Sequence, residues 1–183
     1  NASYPLQSKE GRRWSGIGIS MMDDRSGQAG IFNTQEVAVS YAGNVSLAKF
    51  QSLSLGIKVL YQHRKMELEG LYTGSQYIPD RGFDESLSSG ESLGQLNDNF
   101  VTFSAGLHWQ QTDRKGTTIA YWDFSFFDFN KPEDSFLESS SQLPSTLVGA
   151  VGFRIYHEGN MSIFPEVLYT HSAGTNVFNA GMI

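Results

Sequence analysis

The 183 residues contain no cysteine, which excludes disulfide scaffolds, thiol catalysis and cysteine-bound zinc. No stretch approaches the run of about 18 apolar residues that a membrane helix needs, and helical periodicity is equally hard to find. A basic stripe is also missing. With a formal net charge of −6, the chain does not read as a nucleic-acid binder. The opening Asn1-Ala2-Ser3-Tyr4-Pro5-Leu6 has neither the basic nor the apolar region of an export signal, so an exported protein would have lost its signal already or this chain would start inside a longer one. No His-Glu-x-x-His and no Gly-x-Ser-x-Gly occurs, and His63, His108, His157 and His171 are scattered. The expectation is a non-enzyme with no catalytic, metal or cofactor site.

What is present is alternation. From Ser52 to Arg64, Leu53, Leu55, Ile57, Val59 and Tyr61 stand on one face and Ser54, Gly56, Lys58, Gln62 and Arg64 on the other, with Leu60 the exception. Strands in soluble domains average roughly five to six residues, whereas a tilted strand crossing a bilayer needs about nine to eleven. A barrel strand alternates lipid-facing with lumen-facing residues, so its mean hydropathy stays moderate; a composition of 39% hydrophobic residues is therefore compatible with a membrane barrel. The pattern predicts a strand tail at Asn1 to Leu6. Full strands follow at Trp14 to Met22, Thr34 to Ala48, Ser52 to Arg64, Phe100 to Gln111, Thr117 to Phe127, Ser145 to Tyr156 and Met161 to His171, with another starting near Asn176. Tight connections (Gln7 to Arg13, Lys49-Phe50, Thr112 to Gly116, His157 to Asn160) mostly take turns with long ones (Asp23 to Asn33, Met66 to Asn99, Asp128 to Pro144). Outer-membrane barrels have that asymmetry, with short periplasmic turns and long extracellular loops.

The faces agree. Val37, Val39, Tyr41, Val45 and Leu47 oppose Ala38, Ser40, Ala42, Asn44 and Ser46, and Val101, Phe103, Ala105, Leu107 and Trp109 oppose Thr102, Ser104, Gly106, His108 and Gln110. The polar face is small as well as polar, which suits a crowded lumen better than a surface in bulk water. Trp14, Trp109, Tyr121, Trp122 and Tyr169 fall toward strand ends, where amphipathic rings suit lipid headgroups. A soluble β-sandwich is the competing reading, because alternation alone does not say which face meets lipid. The inferred short turns hold Lys9, Arg12, Arg13, Lys49, Arg114 and Lys115 against Glu10, Asp113 and Glu158, while the long loops hold most of the acids. The loop from Met66 to Asn99 exceeds the 12 to 15 residues beyond which loops are usually functional or disordered. Its Tyr77, Arg81, Phe83, Asp84, Glu85 and Glu91 are the candidate partner-binding residues, on a loop expected to dock a partner or plug the lumen. It lacks the Asp-x-Asp-x-Asp-Gly order of a calcium hand.

Successive phrases of the chain then resemble one family. Ser15 to Gly27 (SGIGISMMDDRSG), Leu53 to Lys58 (LSLGIK), Phe83 to Glu91 (FDESLSSGE), Phe103 to Trp109 (FSAGLHW), Asn130 to Leu137 (NKPEDSFL), Leu143 to Thr146 (LPST) and Phe164 to Tyr169 (FPEVLY) look like the blocks of the PorP/SprF family, in family order and over nearly the whole chain. The resemblance implies an outer-membrane β-barrel of Bacteroidetes associated with type IX secretion and, in some members, with gliding motility. Its implied partners are a secreted surface protein or adhesin, type IX components and outer-membrane lipid. The family's opening segment, usually with an Asn-Pro motif, has no counterpart here, and the family continues beyond the strand that begins near Asn176. The expectation is one domain over residues 1–183, all-β and antiparallel, forming an incomplete part of a transmembrane barrel.

Overall fold

A computed structural model describes residues 1–7, 13–27, 31–67, 74–84, 86–87, 95–134, 141–159 and 161–182. Its main body is one nine-stranded sheet. The strands are β1 (Ala2–Gln7), β2 (Arg13–Ser26), β3 (Phe32–Ala48), β4 (Gln51–Glu67), β7 (Gln95–Thr112), β8 (Thr118–Phe127), β9 (Thr146–Phe153), β12 (Pro165–Ser172) and β13 (Thr175–Met182). They lie in chain order, β1-β2-β3-β4-β7-β8-β9-β12-β13, and each neighbouring pair is antiparallel. Two small hairpins complete the inventory of described strands: β5 (Tyr77–Ile78) with β6 (Gly82–Phe83), and β10 (Tyr156–Glu158) with β11 (Met161–Ile163). The edge strands β1 and β13 do not pair with each other, so the described sheet is an unclosed part of a barrel. No described helix is long and apolar enough to cross a membrane.

Burial is inverted relative to a water-soluble protein. On β7, Thr102 and Ser104 are 1% and 7% exposed, while Val101 and Phe103 beside them are 38% and 41% exposed. The same parity leaves Ile17, Ile19 and Met21 on β2, Val37, Val39 and Tyr41 on β3, Leu55, Ile57, Val59 and Tyr61 on β4, and Trp122, Phe124 and Phe126 on β8 outside. The only buried hydrophobics among the described residues are Ala38 and Phe100. No second described sheet covers the apolar face, which removes the β-sandwich reading. A continuous apolar surface of this kind needs lipid or another protein against it.

The strands differ from the sequence expectation mainly at their ends. β2, β3, β4 and β7 run 14, 17, 17 and 18 residues, extending past Met22, Thr34, Arg64 and Phe100 at the long-loop end. At ~3.3 Å per residue, 17 residues reach about 56 Å, well beyond the hydrocarbon layer. The neighbouring β8, with 10 residues, stops short and leaves the edge of β7 uncovered. The chain after β8 fills it: Phe129 N donates to Phe103 O at 3.1 Å, Asn130 Nδ2 to Val101 O at 2.7 Å, and Phe103 N to Asn130 Oδ1 at 3.0 Å. An amide side chain thus stands in for a missing strand, as an exposed edge requires.

The expected strands Ser145 to Tyr156 and Met161 to His171 are each interrupted. Arg154 N still donates to Ile119 O at 2.7 Å, but Ile155 N turns to Ile163 O at 3.0 Å, opening the separate β10–β11 hairpin. Pro165, which has no N–H, begins β12 and marks the same break on the other strand. The expected turn at His157 to Asn160 is the tip of that hairpin. The connection between β12 and β13 is also tight, although it lies at the long-loop end. Ala173 and Gly174 have φ of 49° and 78°, the positive pair that a two-residue primed hairpin turn demands.

Candidate functional site

The inward parity of β2, β3, β4, β7 and β8 supplies a concave floor of small residues. Gly18, Ser40, Gly56, Ser104, Gly106 and Ser125 line a cavity of about 650 Å³, and Lys58 is the only charged residue among those lining it. Its register neighbours are Ser40 on β3 and Ser104 on β7, so no carboxylate stands directly beside it on the sheet. Small side chains leave room above the floor for a chain or a column of water; large ones would have filled it.

A charged cluster sits at the long-loop end. Arg64 faces Asp98 across the β4–β7 ladder with Nη2 to Oδ2 at 3.0 Å, also pairs with Asp134, and lies 5.0 Å over the buried Phe100 ring. Asp134 belongs to the connection between β8 and β9, where Glu133 and Gln142 form a bridge and Asp134 N donates to Ser141 O at 2.7 Å. One guanidinium therefore ties a loop to two strands, and its planar fork suits two carboxylates. The sequence reading placed Asp98 in a loop; β7 carries it.

A second cluster occupies the short-turn end. The Tyr121 and Phe164 rings stack with centroids 5.9 Å apart and planes within 6°. Gly152 lies against both, since a Cβ there would sit 2.5 Å from Phe164 Cε1 and 2.6 Å from Tyr121 Cε1. The Tyr121 hydroxyl donates to Glu166 Oε2 at 2.9 Å, and Gly152 stands opposite both Tyr121 and Glu166 in register. Tyr121 is thus a lumen residue held by a carboxylate, which corrects its expected place among the headgroup aromatics. Trp109 and Trp122 do face each other across β7 and β8 on the outward side. Nearby, His108 Nδ1 lies 2.5 Å from Asp123 Oδ1 and Nε2 lies 3.2 Å from Gln110 Oε1. In the turn below, Asp113 accepts from Lys115 N and Thr117 N at 2.9 Å and from Arg154 Nη2 at 3.0 Å. The Thr117 amide first, and then the Arg154 guanidinium, hold its carboxyl below the usual range.

Of the candidate partner-binding residues, Tyr77, Arg81, Phe83 and Asp84 lie on or beside the β5–β6 hairpin. Tyr77 and Phe83 meet edge to face at 5.4 Å and remain 53% and 56% exposed. Arg81 sits in the turn, with Arg81 N donating to Ile78 O at 3.1 Å, and Asp84 follows β6. The amide and hydroxyl of Ser86 bond Asp84 Oδ1 at 3.0 and 2.6 Å, and these bonds, the hydroxyl first, lower the carboxyl's pKa. Gln76 anchors the unit by donating to Leu87 O at 3.0 Å. Glu85 and Glu91 lie outside the described residues. The expected loop from Met66 to Asn99 is shortened at both ends by β4 and β7. Among the described residues no group of three or more metal-ligating side chains converges.

The family model for the type IX secretion system membrane protein PorP/SprF matches residues 1–183. The chain belongs to the PorP/SprF family. Neither the curated proteins nor the solved structures give a match. For this PorP/SprF chain, membership makes it a membrane component of type IX secretion and agrees with the unclosed barrel fold. The charged clamp and the aromatic stack escaped the sequence reading. Arg64 and Asp98 share a parity with the small-residue face, but only the β4–β7 register puts them opposite each other.

Proposed function

We propose that this chain forms part of an outer-membrane barrel that holds a segment of an exported cell-surface protein, an adhesin or other secreted cargo. Type IX components meet its short-turn, periplasmic end. Family membership supplies the secretion setting. The observation that carries the cargo reading is the small-residue floor with its 650 Å³ cavity, set between the Arg64 clamp and the Tyr121–Phe164 stack. A polypeptide lying there would find hydroxyls, glycine backbone and one lysine, with side-chain networks at both ends to limit its travel. At the long-loop end, the exposed Tyr77–Phe83 pair beside Arg81 and Asp84 offers an aromatic anchor with charges at its rim, the composition of a binding hot spot. Glu85 and Glu91 extend the same acidic loop in sequence. Where the cargo is an adhesin of a gliding cell, holding it would link the barrel to motility.

A general solute channel is the second reading, favoured by the serine hydroxyls and Lys58 that line the cavity. Affinity purification of the full-length protein from outer membranes in mild detergent, with mass spectrometry of the eluate, separates the two. Recovery of a large secreted protein or type IX components supports anchoring. A barrel recovered alone that conducts ions in planar bilayers overturns it in favour of the channel.

A further inference from the structure

Two outward-facing triads share one chemistry and one geometry. In the first, Tyr61 and His63 stand on β4, and Asn99 faces His63 across the β4–β7 ladder. The Tyr61 hydroxyl donates to Asn99 Oδ1 at 3.2 Å, and His63 Nδ1 lies 2.5 Å from the same oxygen. In the second, Tyr169 and His171 stand on β12, and Asn176 faces His171 across the β12–β13 ladder. The corresponding distances to Asn176 Oδ1 are 2.8 and 2.7 Å. A carboxamide oxygen has two lone pairs and donates nothing, so one tyrosine O–H and one imidazole N–H fill it. The asparagine NH₂ group and the far nitrogen of each imidazole stay available for a partner outside the sheet.

Both triads sit directly above exposed apolar columns, Leu55, Ile57 and Val59 below Tyr61 and Val167 below Tyr169. A strand tilt near 45°, the steep end of the range for such barrels, would bring the two triads to about the same height. Register carries Tyr169 through Gly149, Phe124 and Leu107 to Leu55, and from Leu55 to Tyr61 is about 20 Å along β4 at ~3.3 Å per residue. Crossing four ladders of ~4.8 Å at a tilt of 35–45° shifts equal heights along the strands by about 13 to 19 Å. The stagger has the matching sense. Register carries Ser15, near the start of β2, through Gly43 to Leu55, above the start of β4, whereas β9 and β12 are prolonged downward by the β10–β11 hairpin with its exposed Tyr156 and Met161.

We propose that both triads bind the phosphate of membrane-lipid headgroups in the leaflet at the long-loop end, and so fix the upper edge of the apolar belt. At the height where hydrocarbon gives way to polar groups, a lipid presents its phosphate. The asparagine NH₂ donates to the phosphate oxygens, a charge-assisted bond. The assignment rests on the membrane setting of the family and stands apart from any cargo.

The test titrates phosphatidylglycerol onto the full-length protein in detergent and counts retained lipids by native mass spectrometry, for wild type and for the double variant Asn99→Leu/Asn176→Leu. Retention should weaken about tenfold in the variant, the loss of one charge-assisted hydrogen bond, while millimolar inorganic phosphate leaves wild-type retention unchanged. Equal retention by a double variant that keeps its folded electrophoretic mobility overturns the site. Displacement of the lipid by inorganic phosphate makes it a free-anion site and overturns the membrane assignment. Should the double variant not fold, single spin labels are placed at Val59→Cys and Val167→Cys, residues 1–183 holding no cysteine of their own and any elsewhere in the full-length protein being replaced by serine. Both labels should lie at one depth just inside the acyl region. A label in bulk water, or clearly unequal depths, overturns it.

Discussion

Gly152 shows how one missing methyl group shapes the short-turn end. Tyr121 and Phe164 can stack across it only because nothing projects from the backbone, and the stack in turn aims the Tyr121 hydroxyl at Glu166. Gly152→Ala should therefore force two rings apart. Overpacking of this kind costs typically 1–3 kcal/mol, which urea unfolding from lipid vesicles would read as a lower midpoint; an unchanged midpoint would mean that the rings are not held there. Asp113 gives a second residue-level prediction. Its folded pKa is lowered by the Thr117 amide and the Arg154 guanidinium, so its contribution is present above the ordinary carboxylate pKa of about 4 and is lost as pH falls through the lower folded value. In a pH series of unfolding midpoints, wild type should lose its advantage over Asp113→Asn below about pH 4. Parallel curves down to pH 2 would show that the turn is held by other contacts.

At the scale of the strand, parity governs consequence. Ile57 and Lys58 are neighbours on β4, one exposed on the apolar face and one on the concave floor. Ile57→Arg, near the midplane, should impair folding into vesicles by about 2–4 kcal/mol, whereas Lys58→Ala should leave assembly intact. Similar effects at both positions would remove the face assignment. The span from Leu53 to Tyr61 was legible in the sequence because lipid-facing bulk against lumen-facing smallness is a strong period-two signal. The upper ends of the strands were not. Above the hydrocarbon layer the outward residues are polar as well, Gln35, His63, Lys65, Asn97 and Asn99 among them, so the alternation fades while the ladder hydrogen bonds continue. Likewise Phe164 stands outside any strand and acquires its place only through the contact with Tyr121, which no spacing announces. Arg64 connects elements rather than residues: Arg64→Leu would leave Asp98 and Asp134 without that partner, and the connection between β8 and β9 should become easier to cleave by protease in intact vesicles. Unaltered cleavage there would show that Asn130 and the Glu133–Gln142 bridge hold the loop by themselves.

For the molecule as a whole, the proposed reading puts membrane assembly and partner capture on separable parts. Every ladder of the nine-stranded sheet lies outside the β5–β6 hairpin, whose contacts include Gln76 to Leu87 and Tyr77 against Phe83. Glu67 at the end of β4 stands opposite Gln95 at the start of β7, so the two strands are already side by side where the loop leaves and returns. Shortening the loop therefore stretches nothing, and the entropy of closing a shorter connection is if anything smaller. Deletion of Ser75 to Gly94 should leave heat-modifiable electrophoretic mobility and membrane insertion unchanged while abolishing co-purification of the surface partner. Retention of the partner by the deleted protein would move docking from the Tyr77–Phe83 pair into the concave face, where Lys58 and the serines around it become the residues to change. Loss of insertion would instead show that the hairpin supports the sheet, and the division between assembly and capture would fall with it.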